Sequence, residues 1–245
     1  MLRWAIVGIV TTIVAIVSAV RSTPLEYAMT QAGLPNLIVS WSSAQGTITK
    51  GRLNTVLLGP QLIGDILVQQ RFINPFNQSI TYEVQWGSAG GRGTGKVAAS
   101  SDRLKVQDLR VQQNVVAMPG LIPAIRELGG SIRILNGAFE VDRSGCLFAE
   151  GVITTDLLSR LGNQYGRSFT ELRGPVSCAG GRVLIELKAN SNEGDNIDIS
   201  GSIGVSGTGE FNISVETVDP ELRLVLQEYG FKNTDGNVWR YRHQT

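Results

Sequence analysis

The chain has 245 residues, 42% of them hydrophobic, with a formal charge of +1 at pH 7. A balance this even leaves no electrostatic footprint for nucleic acid or for anionic lipid headgroups. Twenty-nine glycines against one histidine and two cysteines point to many turns and no concentrated metal or nucleophile chemistry.

The chain opens with WAIVGIVTTIVAIVSAV, residues Trp4 to Val20, seventeen positions without a charge between Arg3 and Arg21. As a helix this run would measure about 25 Å at 1.5 Å per residue. That is short for a bilayer core of roughly 30 Å, so flanking residues must help it span. Trp4 suits the interface, and Arg3 keeps the N-terminus cytoplasmic. The rival reading is a cleaved signal peptide; against it, the run is long and Ser18-Ala19-Val20 before Arg21 makes a poor cleavage site. Either way, residues from about Ser22 onward are expected to be exported. Without Arg3 and Arg21 the remainder carries 20 basic and 21 acidic side chains. The expected division is a cytoplasmic tip and transmembrane anchor over 1–21, a stalk over 22–36 and a periplasmic β-rich domain over 37–245.

PLEYAM, from Pro24, reads as a short helical extension or stalk that Gly33 and Pro35 end. From Leu37 the pattern becomes strands separated by glycine turns. LIVSWSSAQGTITKGRLNTVLLG predicts three short strands. DILVQQRFI and ITYEVQW follow, joined by a turn at Asn74-Pro75-Phe76-Asn77. In the second of these Ile80, Tyr82, Val84 and Trp86 share one face, as in a half-buried strand. Gly90-Gly91-Arg92-Gly93-Thr94-Gly95 precedes KVAAS, not a helix, and lacks a Lys-Ser/Thr ending; it reads as a mobile hairpin tip and not as a phosphate loop. RLKVQDLRVQQ continues the meander.

PAIRELGG predicts a short helix stopped by Gly129-Gly130, after which IRILNGAFEVD and CLFAEGVIT form a strand pair. Thr155-Asp156 caps a second helix whose apolar face is Leu157, Leu158 and Leu161. RVLIELKAN, NIDISGSIGVS and GEFNISVET resume the strands. In DPELRLVLQEYG, Asp219 is the N-cap, Pro220 the first helical residue and Gly230 the stop. Leu222, Val225, Leu226 and Tyr229 form a stripe suited to covering a sheet. The expected fold is mainly β: a single N-terminal transmembrane helix followed by an elongated antiparallel sheet with a few short helices.

Cys146 and Cys178 form an even pair in an oxidising compartment, each beside a glycine-rich turn. A bridge closing a loop of about 33 residues would contribute roughly 3–4 kcal/mol; the alternative is two buried free thiols. Neither a C-x-x-C nor a nearby base favours redox catalysis. His243, three residues from the C-terminus, would have to serve any histidine-dependent triad from a segment expected to fray. Asp195 and Asp198, with Asn192 and Asn196, offer oxygen ligands, but the spacing lacks the terminal bidentate Glu of an EF-hand and reads equally as a polar turn. No catalytic, cofactor-binding or metal-binding residue is predicted.

Several segments agree in order with one known pattern: Gly46-Thr47, Gly51-Arg52-Leu53, Leu57 and Gly64-Asp65; then GAFEVDRSGCLFAEGVITTDLL; then Leu172 to Arg182 (LRGPVSCAGGR); then DPELRLVLQEYGF. From about Gln45 onward the chain resembles the type II secretion system protein N family. It departs from that pattern at Ile48-Thr49, where an aromatic residue is usual, and past Trp239-Arg240-Tyr241, where a glycine-containing ending is missing. The resemblance implies an inner-membrane protein with one N-terminal helix and a periplasmic β domain. It also implies an accessory, non-enzymatic component acting as connector or scaffold with other secretion-system proteins, with no catalytic residues to carry over. Edge strands offer β-augmentation to such partners. An alternative is a lipid-handling β-groove of the AsmA type, whose inner face would be entirely apolar with no opposing layer. Gln69, Gln85 and Gln107 interrupt strands and weigh against it.

Overall fold

In a computed structural model the described residues are 22–31, 39–58, 61–74, 79–99, 103–119, 123–142, 144–204 and 208–244. The apolar run Trp4–Val20, the stop at Gly33 and Pro35, and the turn at Pro75-Phe76-Asn77 lie outside them. Among the described residues no helix is long and apolar enough to cross a membrane.

The strands are β1 (Val39–Ser40), β2 (Ser43–Gly46), β3 (Lys50–Leu58), β4 (Gln61–Asn74), β5 (Ser79–Ser88), β6 (Gly91–Ala99), β7 (Arg103–Asn114) and β8 (Ser131–Asp142). They continue as β9 (Gly145–Thr155), β10 (Leu172–Ala179), β11 (Arg182–Asn190), β12 (Asn196–Ile203), β13 (Gly209–Glu216), β14 (Lys232–Asp235) and β15 (Val238–Gln244). All belong to one open antiparallel sheet in which β3 to β13 pair in sequence order, with β15 inserted between β13 and β14. This is the expected meander, carried by residues that alternate apolar and polar between short glycine turns. Both edges are short, β1 with β2 on one side and the polar β14 on the other, which blunts them against further pairing.

Among the described residues four short α-helices accompany the sheet: α1 (Leu25–Gln31), α2 (Pro123–Glu127), α3 (Leu157–Gln164) and α4 (Pro220–Glu228). The first, expected as a short helical extension or stalk, is a helix that packs on the sheet, where Leu25 joins Ala44, Leu53 and Val56 in a buried cluster. Asp219 caps α4 as expected, accepting from the backbone N–H groups of Glu221 and Leu222. The expected stripe on α4 is narrower than its spacing implies: Leu226 is buried, but Tyr229 points to solvent. At α3 the capping is also different. Asp156 bonds the Ser131 N–H at 2.7 Å and the Arg160 guanidinium at 2.9 Å, and the Thr155 hydroxyl takes the Leu157 N–H instead. Burial works against the Asp156 charge, yet these donors hold its carboxyl below the usual range.

The glycine run expected as a hairpin tip is strand. Gly91 to Gly95 lie in β6, paired to both neighbours, and the turn is Ala89-Gly90. The cause is Trp86 on β5: a Cβ at Gly93 would fall inside its indole ring. The same device recurs where Phe211 of β13 covers Gly201 of β12, a Cβ there meeting the ring at 2.6 Å. In each pair an aromatic ring fills the space a side chain would take.

The helical end of the sheet is tied by one buried carboxylate. Asp195, 1% exposed in the β11–β12 turn, accepts from Thr217 Oγ1 at 2.6 Å, Ser191 Oγ at 2.9 Å and Arg167 Nη1 at 2.6 Å. Arg167, in the α3–β10 connection, also pairs with the α4 cap Asp219. Three connections thus share one ion network, which commits Asp195 and removes it from the oxygen cluster considered as a calcium site.

Two substitutions test this account. Gly93→Val should cost about 1–3 kcal/mol by overpacking against Trp86 and shift tryptophan emission, whereas Thr94→Val, on the other face, should stay within about 0.5 kcal/mol in urea unfolding. Asp195→Ala should cost about 3–5 kcal/mol because it leaves Arg167 with Asp219 alone and takes the acceptor from the Thr217 and Ser191 hydroxyls, while Asp198→Ala, at an exposed pair, should cost under about 1 kcal/mol in the same assay.

Candidate functional site

The register sorts the sheet into two faces. One row of Cα partners runs Asp65, Gly87, Arg92, Gln112, Arg133, Thr154, Arg173, Lys188, Asp198, Ser214, Arg240 and Lys232, from β4 to β14 without a large apolar residue. One position along the same strands lies the row Leu53, Ile66, Trp86, Gly93, Val111, Ile134, Ile153 and Gly174, from β3 to β10 without a polar side chain. Leu187, Ile199, Ile213 and Tyr241 extend it over β11 to β15. Because neighbouring residues of a strand point to opposite faces, these rows define a polar face and an apolar one.

Three of the bulges that keep the faces in phase carry left-handed non-glycine residues. Among the described residues Thr55, Asp108 and Asn136 are the non-glycine residues of positive φ, at 51°, 52° and 52°, and each sits at a register shift, in β3, β7 and β8. Each adds one residue, so the apolar spacing becomes three: Leu53 to Val56, Val106 to Leu109, Ile134 to Gly137. Thr55, a poor residue for this backbone, is held by its N–H donating to Asp65 Oδ1 at 3.0 Å.

The apolar face is covered unevenly. Over β10 to β13, Leu172, Leu187, Ala189, Ile197 and Val215 are buried beneath Leu226 of α4, with Leu158 of α3 packed alongside. Over β2 and β3, α1 provides the lid. Between them, on β4 to β8, every buried position among the described side chains is a glycine except Gln113. Val68, Val84, Trp86, Val97, Val106, Val111 and Ile134 stay half-buried, and Leu104 is 38% exposed. α2, the helix nearest in sequence, packs on the 3-10 turn Val115–Ala117. Tyr82 lies on this face between Gln70 and Val97, and burial pushes its phenol above the ordinary value, so it stays neutral.

Gln69, Gln85 and Gln107 all lie on the polar face, opposite Glu83, Leu67 and Lys96. They do not interrupt the apolar one. The expectation that weighed them against an open groove is therefore corrected. The polar face is laced with ion pairs, among them Arg52–Asp65 at 3.2 Å, Lys96–Asp108 at 2.6 Å and Arg103–Glu140 at 3.2 Å. Lys96 donates to Asp108 and holds that carboxyl below the usual range. Among the described residues no group of three or more His, Cys, Asp or Glu is placed to hold a metal ion. His243 is exposed, as expected, but lies in β15 opposite Phe211 and not in a frayed tail.

The family model described as type II secretion system (T2SS), protein N, matches residues 38–239. The chain belongs to the type II secretion system protein N family. That is an accessory family of the secretion system and not a known enzyme family, and membership implies interaction with other secretion-system components. No curated protein and no solved structure matches the chain.

Within this protein N domain, Cys146 of β9 and Cys178 of β10 are joined, with Cα atoms 5.9 Å apart and a sequence separation of 32. The bridge sits beside a short ladder between two long strands. The β9–β10 ladder runs only from Leu172↔Thr155 to Pro175↔Val152, because Pro175 has no N–H to continue it. Beyond it, contact resumes where the Cys146 N–H donates to the Gly181 carbonyl at 2.9 Å. The disulfide thus closes a gap in the ladder and completes a cluster of Cys146, Ala149 and Val176. Replacing both cysteines by serine should lower stability by roughly 3–4 kcal/mol and speed amide exchange along β9 and β10 ahead of β11 to β13, as read by denaturation and hydrogen exchange.

Proposed function

We propose that this protein is an accessory inner-membrane component of a type II secretion system, anchored through Trp4–Val20, with its sheet in the periplasm as a non-enzymatic connector or scaffold. Family membership over residues 38–239 carries the reading. Supporting it are the uncharged seventeen-residue run between two arginines, and a disulfide of the kind that oxidising compartments sustain. The polar face adds a broad surface of paired charges suited to reversible polar contacts with partner proteins. The sheet edges are too short to make β-augmentation the principal contact, although residues 241–244 of β15 extend past β14.

A second reading is favoured by one observation, the apolar face of β4 to β8, which no described helix covers. A lipid-handling groove would require such a face, and it is compatible with membership of a secretion system.

The connector reading is tested in intact cells with photo-reactive residues at Gln69 and Gln107, both on the polar face. Adducts with inner-membrane or outer-membrane secretion components are expected. Absence of protein adducts at both positions, in cells that secrete normally, would remove the connector role. In parallel, alkaline extraction should leave the full chain in the membrane and release a version whose residues 4–20 are replaced by a cleavable leader.

A further inference from the structure

We propose that the apolar face of β4 to β8, which no described helix covers, binds the acyl chains of a membrane phospholipid. The inference rests on the anchored placement above and not on the connector role. A face of this kind in an aqueous compartment carries a cost proportional to its apolar area, and soluble proteins rarely leave a contiguous one without an occupant. The face is there because of the pattern, not by accident of one strand: Val68 and Val84 pair across β4 and β5, and Val97 and Val106 across β6 and β7.

Its shape selects the occupant. α1 stands on one side over β2 and β3, and α3 and α4 on the other over β10 to β13, so the open strip is a trough. Five strands at about 4.8 Å spacing make it roughly 19 Å wide. An acyl chain, half of a bilayer core of roughly 30 Å, is about 15 Å long and fits within it. A second copy does not: two sheets pack face to face at about 10 Å, and flanking helices of about that diameter would meet before the sheets did. A peptide strand would need an edge, whereas the trough offers a face whose backbone hydrogen bonds are already made.

Position supplies the lipid. The described chain begins at Ser22, one residue after Arg21, and Leu25 already packs over Gly51 on the apolar face. The chain therefore enters the sheet on the side of the trough, directly after the segment proposed to lie in the bilayer.

The test uses adjacent residues of one strand that point to opposite faces. Full-length protein in intact cells carries a photo-reactive residue at Val84 or at Gln85, and adducts are identified by mass. Phospholipid adducts are expected at Val84 at about tenfold or more the yield at Gln85, since only the first faces the apolar trough. Val106→Arg should remove them, with resistance to protease and the disulfide retained, whereas Gln107→Arg should not. Equal lipid yields at both positions would mean simple nearness to the bilayer and would overturn the proposal. So would dimer or partner-protein adducts at Val84, or no adduct there. Fractionation of the same cells reads the anchor separately: a chain found outside the membrane defeats the anchor, while lipid at Val84 still decides the trough. Protein adducts at Gln69 and Gln107 report on the connector role independently.

Discussion

Everything in this sheet depends on keeping two faces apart across many strands. Side chains alternate with a period of two, so a slip of one residue in any strand would put its apolar set on the polar face. Twelve strands in an unbroken polar row leave little room for such a slip. The bulges at Thr55, Asp108 and Asn136 are among the places where the count would fail and is restored. Two of these residues are Asp and Asn, which tolerate left-handed backbone through short polar side chains. At Thr55 the carboxylate of Asp65 makes up for the strain, and Asp65 also pairs with Arg52. Bulges in neighbouring β7 and β8 bend the sheet locally, so the devices that preserve phase also shape the face.

The two ends of the sheet solve the burial problem in different ways. Toward the C-terminus, helices cover the apolar face and an ion network around Asp195 holds their connections. The hydrophobic side chains there reach full burial, as Leu187, Ala189 and Val215 do. In the middle, burial is achieved within the sheet itself, by rings lying over glycines, and larger side chains stay half-open. The disulfide falls near the boundary between these regimes. It crosses the β9–β10 junction where Pro175 ends the ladder, so the bridge supplies cohesion that backbone hydrogen bonding cannot.

Most of the elements could be read from the chain. Alternation in ITYEVQW and the cap-and-stop signals of DPELRLVLQEYG are local, and local signals survive folding. The misreadings share one cause, which is that face and cover are properties of several strands together. Gly91 to Gly95 looked like a loop because glycine weakens a strand; Trp86, three residues before the turn, was the missing partner. Gln85 lies between Val84 and Trp86, so alternation alone already placed it outward, but Gln69 and Gln107 needed the register of their neighbours. Segment 172–179 reads poorly as a strand because Pro175 stands in it, and only the short ladder to β9 makes that tolerable. The uncovered face itself had a faint trace: PAIRELGG is too short a helix to cover five strands.

A connector and a lipid-binding trough do not compete for the same surface. Polar contacts with other secretion components would use the face of paired charges, which an exposed pair stabilises weakly and which therefore can be exchanged at small cost. Acyl chains would use the opposite face, where binding is set by apolar area and not by charge. The sheet is one strand layer thick, so an occupant on one side is separated from a partner on the other by a single pleated backbone. Filling the trough would stiffen strands whose outer side chains form the partner surface, and coupling between two such sites is necessarily reciprocal. A partner bound to the polar face would then strengthen retention of the lipid by the same factor that the lipid strengthens the partner.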